Sequence, residues 1–205
     1  MSTDKTTTPK TGRGRPKTLN CKETVEIAMQ EYWLDENNNI SLNEICKRAK
    51  VSKPGIYREF GNEDGLIEAV LLKYEKDVTS NLLNILEKEE TFKEKIESLG
   101  IYITSNKDEI NPTKGCLLVK LQHSKLNMGP KSQKQICSMQ KNLLVAYENY
   151  IKKAKAKGQI KSTISDELAA EYFNSQINNA ALLIIQGHEK KKVKSILTLS
   201  LSIFI

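Results

Sequence analysis

The residues best suited to chemistry lie within segment 52–60, and they favour contact with a polyanion over catalysis. Lys53 and Arg58 supply positive charge there, and Tyr57 supplies an aromatic hydroxyl group. Lysine, arginine and tyrosine side chains donate hydrogen bonds to phosphate oxygens, and arginine also binds guanine edges. Gly55, which has no Cβ, allows a close backbone approach. The segment therefore predicts a contact surface for nucleic acid.

The elements that position these side chains are two short helices joined by a tight turn within segment 41–60. Ser41 and Ser52 are each placed to cap a helix, and Glu44 is spaced to complete a capping box with Ser41. Pro54 falls in the first turn of the second helix, where proline is tolerated. This is the arrangement of a helix-turn-helix, whose second helix enters the major groove of DNA.

Segment 51–62 resembles the recognition helix of the TetR family and the lead into the helix that follows it. The resemblance extends back through the first helix and forward to about Tyr74. It implies an all-α fold in which an N-terminal three-helix helix-turn-helix DNA-binding domain precedes a larger C-terminal helical domain for ligand binding and dimerisation. The domains implied are a flexible basic arm at 1–17, the DNA-binding domain at 18–64 and the regulatory and dimerisation domain at 65–205.

The same resemblance implies roles for individual positions. Tyr57 would contact phosphate through its hydroxyl group, although packing of its ring between helices is the alternative. Residues 53–55 would face base edges or thymine methyl groups, Asn43 would contact DNA from the groove edge, and Arg58 would lie over the backbone or a base. The DNA-binding set is Arg13, Arg15, Ser41, Asn43, Ser52, Lys53, Pro54, Gly55, Tyr57 and Arg58.

The sequence departs from the family at the start of the predicted fourth helix. Family members often carry a lysine there that holds a phosphate, whereas this chain has Glu63 and Asp64. Two carboxylates would oppose a phosphate at that helix end, even though the backbone N–H groups favour one. We therefore expect weaker DNA contacts from this helix than from the recognition helix.

The predicted basic arm, 1–17, adds a second candidate DNA contact. It is rich in Thr, Lys, Pro and Gly, and its glycine-flanked Arg13 and Arg15 adjoin the predicted DNA-binding domain. Arginines of this kind bind the negative potential of a narrow A·T minor groove, although a disordered solubilising tail is the alternative. The chain as a whole has 32 Lys and Arg against 25 Asp and Glu, a net charge of +7, which favours polyanionic partners.

The rest of the chain is predicted to be helical, because glycine and proline are few and β-type alternation is absent. The last two helices have broad apolar faces, which favour a homodimer formed through them over a self-contained monomer core. Helices are expected at about 91–106, 115–127, 130–157, 166–187 and 189–204.

The family resemblance implies an effector site among the helices at about 91–157, and Cys116 is the candidate sensing residue within them. A thiol in the first turn of a helix, with Lys114 nearby, has a raised thiolate fraction and can respond to oxidants or electrophiles. Several TetR-like regulators sense such compounds through cysteine, and some have a similar Gly-Cys step. A buried structural cysteine is the alternative, and an unidentified small-molecule inducer is expected in either case.

Other classes of protein fit the sequence less well. No catalytic triad, phosphate loop or paired-carboxylate motif is present, so we expect no enzyme, no cofactor and no metal site. The four separated cysteines and the lack of a signal peptide or membrane span indicate a cytoplasmic protein. The function that the resemblance implies is a ligand- or stress-responsive transcriptional repressor that binds a palindromic operator as a dimer. A sequence-tolerant architectural DNA binder and a transcriptional activator of the same fold remain as alternatives.

Overall fold

The computed structural model describes residues 19–35, 40–105, 115–161 and 163–205, and every regular element in these ranges is helical. The expected all-α fold is therefore confirmed. The helices are α1 (Cys21–Leu34), α2 (Leu42–Ala49), α3 (Lys53–Phe60), α4 (Glu63–Tyr74), α5 (Ser80–Glu87), α6 (Phe92–Thr104), α7 (Leu117–His123), α8 (Pro130–Ala156), α9 (Asp166–Ile185) and α10 (Lys190–Leu201). A π-helical turn, Glu75–Thr79, joins α4 to α5.

The first four helices begin where their capping residues predict. Ser41, Ser52 and Asn62 accept hydrogen bonds from the backbone three residues ahead, at 3.2, 3.2 and 2.9 Å. Asn20 caps α1 in the same way at 3.3 Å. Each cap satisfies an N–H group that the helix itself leaves unpaired, which fixes the register of the N-terminal helices.

The capping box expected at Ser41 forms only in part. The backbone N–H of Glu44 donates to Ser41, but the Glu44 carboxylate accepts from Arg48 Nε at 3.1 Å instead of returning to the cap. The charged guanidinium, one turn further along α2, offers this carboxylate the stronger partner. A complete box forms elsewhere, at Thr91 and Glu94 at the start of α6.

Two hydrophobic clusters hold the helices together. The first lies among α1–α4, where Ile45, Ile56 and Leu66 are completely buried, and it continues into α7 and the first turns of α8. The second joins α5, α6, α8, α9 and α10 around Tyr147 and Phe173, whose ring centroids are 5.1 Å apart. Because the first cluster crosses residue 64, the domain boundary expected there stays a prediction.

The last two helices divide their apolar residues between the interior and the surface. Phe173, Val193 and Leu197 belong to the buried core of the single chain. Leu199 and Ile203 lie on the outside, with 75% and 63% of their surface exposed. In the part of the chain that the structure describes, no helix has the length and apolar character needed to cross a membrane.

Candidate nucleic-acid interface and effector cavity

Helix α3 presents a cationic and aromatic outer face. Tyr57 is 43% exposed, so its ring does not pack between helices as the alternative interpretation required. The Lys53 ammonium lies 5.7 Å from the centre of the Tyr57 ring, and Pro54 is also exposed. A cation beside an aromatic hydroxyl on a short exposed helix can donate to neighbouring phosphate oxygens.

The inner face of α3 is apolar and fixes how the helix is presented. Ile56 is completely buried, and Phe60 packs at the edge of the same cluster. Gly55 is also buried, and a Cβ there would come within 3.4 Å of Leu19 Cδ1 and 3.2 Å of Ser52 Oγ. Its position therefore differs from the expected one at a base edge, because the missing side chain makes room for protein atoms.

Arg58 lies on the exposed side of α3 with 64% of its side chain accessible. Its Nε is 3.2 Å from Glu59 Oε1, and Glu59 also accepts a weak hydrogen bond from the Cys21 thiol at 3.7 Å. An exposed ion pair between neighbours contributes little to stability. The Arg58 guanidinium can therefore exchange this partner for a phosphate at small cost.

Helix α2 is the first helix of the helix-turn-helix and holds α3 in position. Asn43 is exposed, as the predicted groove-edge contact requires, and Ser41 is the cap of the helix. Lys50 closes α2 in the left-handed conformation, with φ of 54°, and so makes the tight turn into α3. Arg48 pairs with Glu31 of α1 and with Glu44, so this arginine holds α2 against α1.

The two remaining predicted contacts, Arg13 and Arg15, lie outside the described residues. Their contact with the minor groove stays a prediction. The described surface thus brings together Lys53, Tyr57 and Arg58 on α3, with Asn43 exposed on α2.

Asp64, in the first turn of α4, caps the amino end of α8. Its carboxylate accepts from the backbone N–H groups of Lys131 and Ser132, both at 2.9 Å, and from the Ser132 hydroxyl at 2.5 Å. Gly129 permits this approach, since a Cβ there would overlap the carboxyl group. Burial would raise the pKa of Asp64, but the hydrogen bonds from Ser132 and Lys131 lower it. The carboxylate expected to oppose phosphate therefore fastens α4 to α8.

Replacing Asp64 with alanine is expected to lower the free energy of unfolding by about 0.5–2 kcal/mol, the usual cost of losing a helix cap. Because folding lowers the pKa of Asp64, its contribution is full above the unfolded value of about 3.9 and disappears as the pH falls through the folded value. Urea unfolding at pH 7 and pH 3 measures both effects. Glu68→Ala, which removes only a 3.9 Å surface pair with Lys131, is the control, and equal losses in the two variants would contradict the cap.

Lys120 is a second connection between the N-terminal helices and the rest of the chain. It is 7% exposed, and its ammonium donates to the backbone oxygens of Trp33 and Asp35 at 2.6 and 2.9 Å. A cation there satisfies the carbonyl groups at the C-terminal end of α1. This contact was not predicted, although a single lysine inside the apolar run 117–121 is a signal for it in the sequence.

A cavity of about 310 Å³ lies between α1, the π-helical turn and helices α4 to α9. Tyr74, Tyr102, Tyr147 and Trp33 supply its aromatic walls, and Trp33 also donates to the backbone oxygen of Gly115 at 3.1 Å. This volume is at the lower end of the range for small-molecule sites. Since α1 forms part of the wall, a bound molecule would touch the helix-turn-helix unit itself.

Cys116 lines this cavity at the N-cap position of α7. Its Sγ accepts a hydrogen bond from the Tyr74 hydroxyl at 3.3 Å. Burial, and secondarily Cys116, raise the pKa of Tyr74 well above its usual value, so the phenol stays protonated as the donor. The thiol is thus placed where a molecule in the cavity would meet it.

Comparison with known proteins agrees with this geometry. Residues 37–70 match the family model for bacterial regulatory proteins of the TetR family. The chain is also 24% identical to the HTH-type transcriptional repressor ComR of Escherichia coli K12, over 96% of this chain and 94% of that protein. The family match therefore covers α2, α3 and the start of α4, and the likeness to a transcriptional repressor extends over nearly the whole chain.

Two solved structures share the fold. Reduced NemR of E. coli superposes with a TM-score of 0.76 at 14% identity, covering 90% of this chain and 97% of that one. A cysteine mutant of the TetR family regulator CifR, complexed with 26 bp double-strand operator DNA, also gives 0.76 at 16% identity, covering 93% and 100%. These likenesses agree with the prediction of a DNA-binding transcriptional regulator and not of an enzyme.

Proposed function

We propose that this protein is a cytoplasmic repressor of the TetR family that binds a palindromic operator as a homodimer and releases it when the cavity is occupied. One observation carries the proposal. Helix α3 exposes Lys53, Tyr57 and Arg58 on one side while completely buried Ile56 anchors the other. A helix of this kind, held rigidly by its core face, fits the major groove.

The surface of the last two helices supports the dimer. Leu168 on α9, Leu199 on α10 and Ile203 after it are each more than half exposed. Apolar side chains that a single chain leaves on the surface of two neighbouring helices favour a second copy as their cover. A two-fold axis through these helices would place two copies of α3 on the same side of the dimer, as an inverted-repeat operator requires.

Helix α4 supports a mechanism of release. Asp64 at its amino end caps α8, and Tyr74 at its carboxyl end lines the cavity. At 1.5 Å per residue these two positions are about 15 Å apart along one rigid helix. A molecule that enters the cavity and displaces Tyr74 or the π-helical turn would therefore shift α4, against which α3 packs, and change the separation of the two recognition helices.

Gel-shift titration with the DNA that flanks the gene of this protein tests the proposal. We expect a shifted complex whose affinity exceeds that for scrambled DNA of the same composition by about 10³-fold or more. An architectural binder would instead bind both duplexes equally, with a steep dependence on salt. Equal affinity for the two duplexes at every salt concentration would contradict the proposal.

Response to electrophiles through Cys116 is a second candidate property, favoured by the position of its Sγ on the cavity wall. The thiol would add to an α,β-unsaturated carbonyl compound: an S–C bond forms, the C=C bond is consumed, and the thiol proton passes to the α-carbon. The bulky product would fill the cavity and break the contact with Tyr74. A purely structural thiol would react without consequence for DNA binding.

The variant Cys116→Ser is expected to keep its operator affinity and to lose release by N-ethylmaleimide, since serine retains the contact with Tyr74 but not the nucleophile. The measurement is the fraction of operator bound after treatment, with mass spectrometry to identify the modified cysteine. Cys137→Ser, which removes an exposed thiol on α8, is the control and should still be released. Release of Cys116→Ser at the wild-type reagent concentration would exclude the thiol switch.

A further inference from the structure

The charges on the cavity wall have one sign. Glu26 of α1 and Asp77 of the π-helical turn line the cavity, and among the described residues no lysine, arginine or histidine does so. Both carboxylates are partly exposed, with 45% and 42% of their side chains accessible, so they lie where the cavity opens to solvent. An anionic ligand would meet repulsion at this opening, whereas a cation would be attracted to it.

Lys73 of α4 forms ion pairs with both carboxylates and balances only one of their two negative charges. Its ammonium is 2.7 Å from Glu26 Oε2 and 2.6 Å from Asp77 Oδ2. The hydrogen bonds that Lys73 donates to Asp77 and Glu26 raise the pKa of Lys73, so it remains a cation. One ammonium shared by two carboxylates leaves the group with a net charge of −1, and this group can accept one further positive charge.

The interior of the cavity suits an apolar or aromatic body. The Trp33 and Tyr74 rings meet edge to face with centroids 5.1 Å apart. Burial raises the pKa of Tyr102 to about 12, so its ring, like that of Tyr147, is neutral at physiological pH. Aromatic faces attract organic cations electrostatically when water is excluded. The remaining wall consists largely of aliphatic side chains from α5, α6, α8 and α9.

We propose that the effector of this cavity is a small amphipathic organic monocation, such as a quaternary ammonium group on an aromatic or alkyl body. The body lies among Trp33 and the tyrosine rings, and the cationic group lies at the opening between Glu26 and Asp77. This inference rests on the proposed function, since it names the class of molecule that occupies the effector site.

The position of the carboxylates also explains how such a molecule would act on DNA binding. The ion pair between Glu26 and Lys73 joins α1 of the helix-turn-helix unit to α4. A ligand cation beside Glu26 competes with Lys73 for the same oxygen atoms. Its binding therefore loosens α1 from α4 and biases the protein away from the arrangement that fits the operator.

Binding can be followed through Trp33, because it is the only tryptophan of the chain and lies on the cavity wall. The probes are phenyltrimethylammonium, its neutral isostere tert-butylbenzene and the anion benzenesulfonate, each titrated into the full-length protein. We expect phenyltrimethylammonium to change the Trp33 emission with an affinity about tenfold or more above that of the neutral isostere. Benzenesulfonate is expected not to bind.

The variants Glu26→Gln and Asp77→Asn are each expected to weaken phenyltrimethylammonium about tenfold while leaving tert-butylbenzene within about twofold. Glu148→Gln, which removes an exposed carboxylate on α8 outside the cavity, is the matched control and should bind both probes like the wild type. Circular dichroism establishes that each variant is folded.

Three results would overturn the inference. The first is equal or tighter binding of the neutral or anionic probe, and the second is cation binding that survives both substitutions. The third is an unchanged Trp33 emission with every member of a series of alkylammonium cations of increasing chain length. Operator binding is measured on the same samples without ligand. If the operator is bound and the cations are not, only this inference fails. If the operator itself is not bound, the proposed function fails.

Discussion

The variant Gly65→Ala is expected to lose about 1–3 kcal/mol or more of folding free energy, because a Cβ at this position would overlap the backbone carbonyl oxygen of Phe60. Neither atom can move cheaply. Phe60 ends α3, and Gly65 donates its backbone N–H to the Asn62 cap at 2.9 Å. Relief of the overlap must therefore open the corner between α3 and α4, which positions the recognition helix. Thermal unfolding and operator binding measure the two consequences.

A second glycine provides the matched control. Gly100 lies inside α6, where an added Cβ would meet only the Lys194 and Leu197 side chains at 3.4 Å or more. Gly100→Ala should therefore keep its stability or gain up to about 1 kcal/mol from the better helix propensity of alanine. The prediction would be contradicted if Gly65→Ala were as stable as Gly100→Ala and bound the operator with unchanged affinity. The backbone of residue 65 would then not lie as close to Phe60 as the structure shows.

Removing two of the exposed donors of α3 together, in Lys53→Ala/Tyr57→Phe, is expected to weaken operator binding about 100-fold. Each donor lies on the outer face of the helix, and a contact of this kind contributes on the order of 1–3 kcal/mol. Since phosphate contacts release counterions, the slope of log affinity against log salt should fall by about one for the lost lysine. Fluorescence anisotropy with a labelled operator over a salt series gives both quantities.

Lys152→Ala, which removes an exposed lysine on α8, controls for the loss of one positive charge. It should bind the operator within about twofold of the wild type, since charge far from the interface acts only weakly through the general field. Both proteins should unfold at the wild-type temperature, because the substituted side chains are exposed. Equal effects of the α3 and α8 substitutions would mean that DNA binds through general charge alone.

Much of the fold could be predicted because its signals are local. Ser41, Ser52 and Asn62 fix the starts of three helices through hydrogen bonds that span only three residues. The spacing of apolar residues within each helix likewise predicts a buried face, and Ile45 and Ile56 are completely buried in the structure. The family resemblance, with packing between helices as its alternative, implied that Tyr57 faces DNA, and the exposure of its ring agrees with that position.

The contacts that the sequence did not disclose join positions far apart in the chain. Asp64 caps a helix that begins 66 residues later, and Lys120 binds the end of α1 across 85 and 87 residues. No periodicity or spacing relates such pairs. The inward position of Gly55 depends in the same way on Leu19, which lies before α1. The π-helical turn beside the cavity had no sequence signal that we could identify.

The sequence predicted an effector site in the C-terminal part of the chain but did not identify all the helices that line it. Cys116 was chosen for its position at the start of a helix, and the structure does place it on the cavity wall. The contribution of α1 to that wall, through Glu26 and Trp33, was not foreseen because α1 had been assigned entirely to DNA binding. That shared wall is what connects the effector site directly to the helix-turn-helix.

Selection of bound sequences from a pool of random duplex DNA, with the full-length protein, tests the central claim most directly. The account predicts strong enrichment of an inverted repeat, because two copies of α3 in a two-fold dimer enter successive major grooves. The same selection with Lys53→Ala/Tyr57→Phe should lose this enrichment. A selected pool without symmetry or without any preferred sequence would contradict the account.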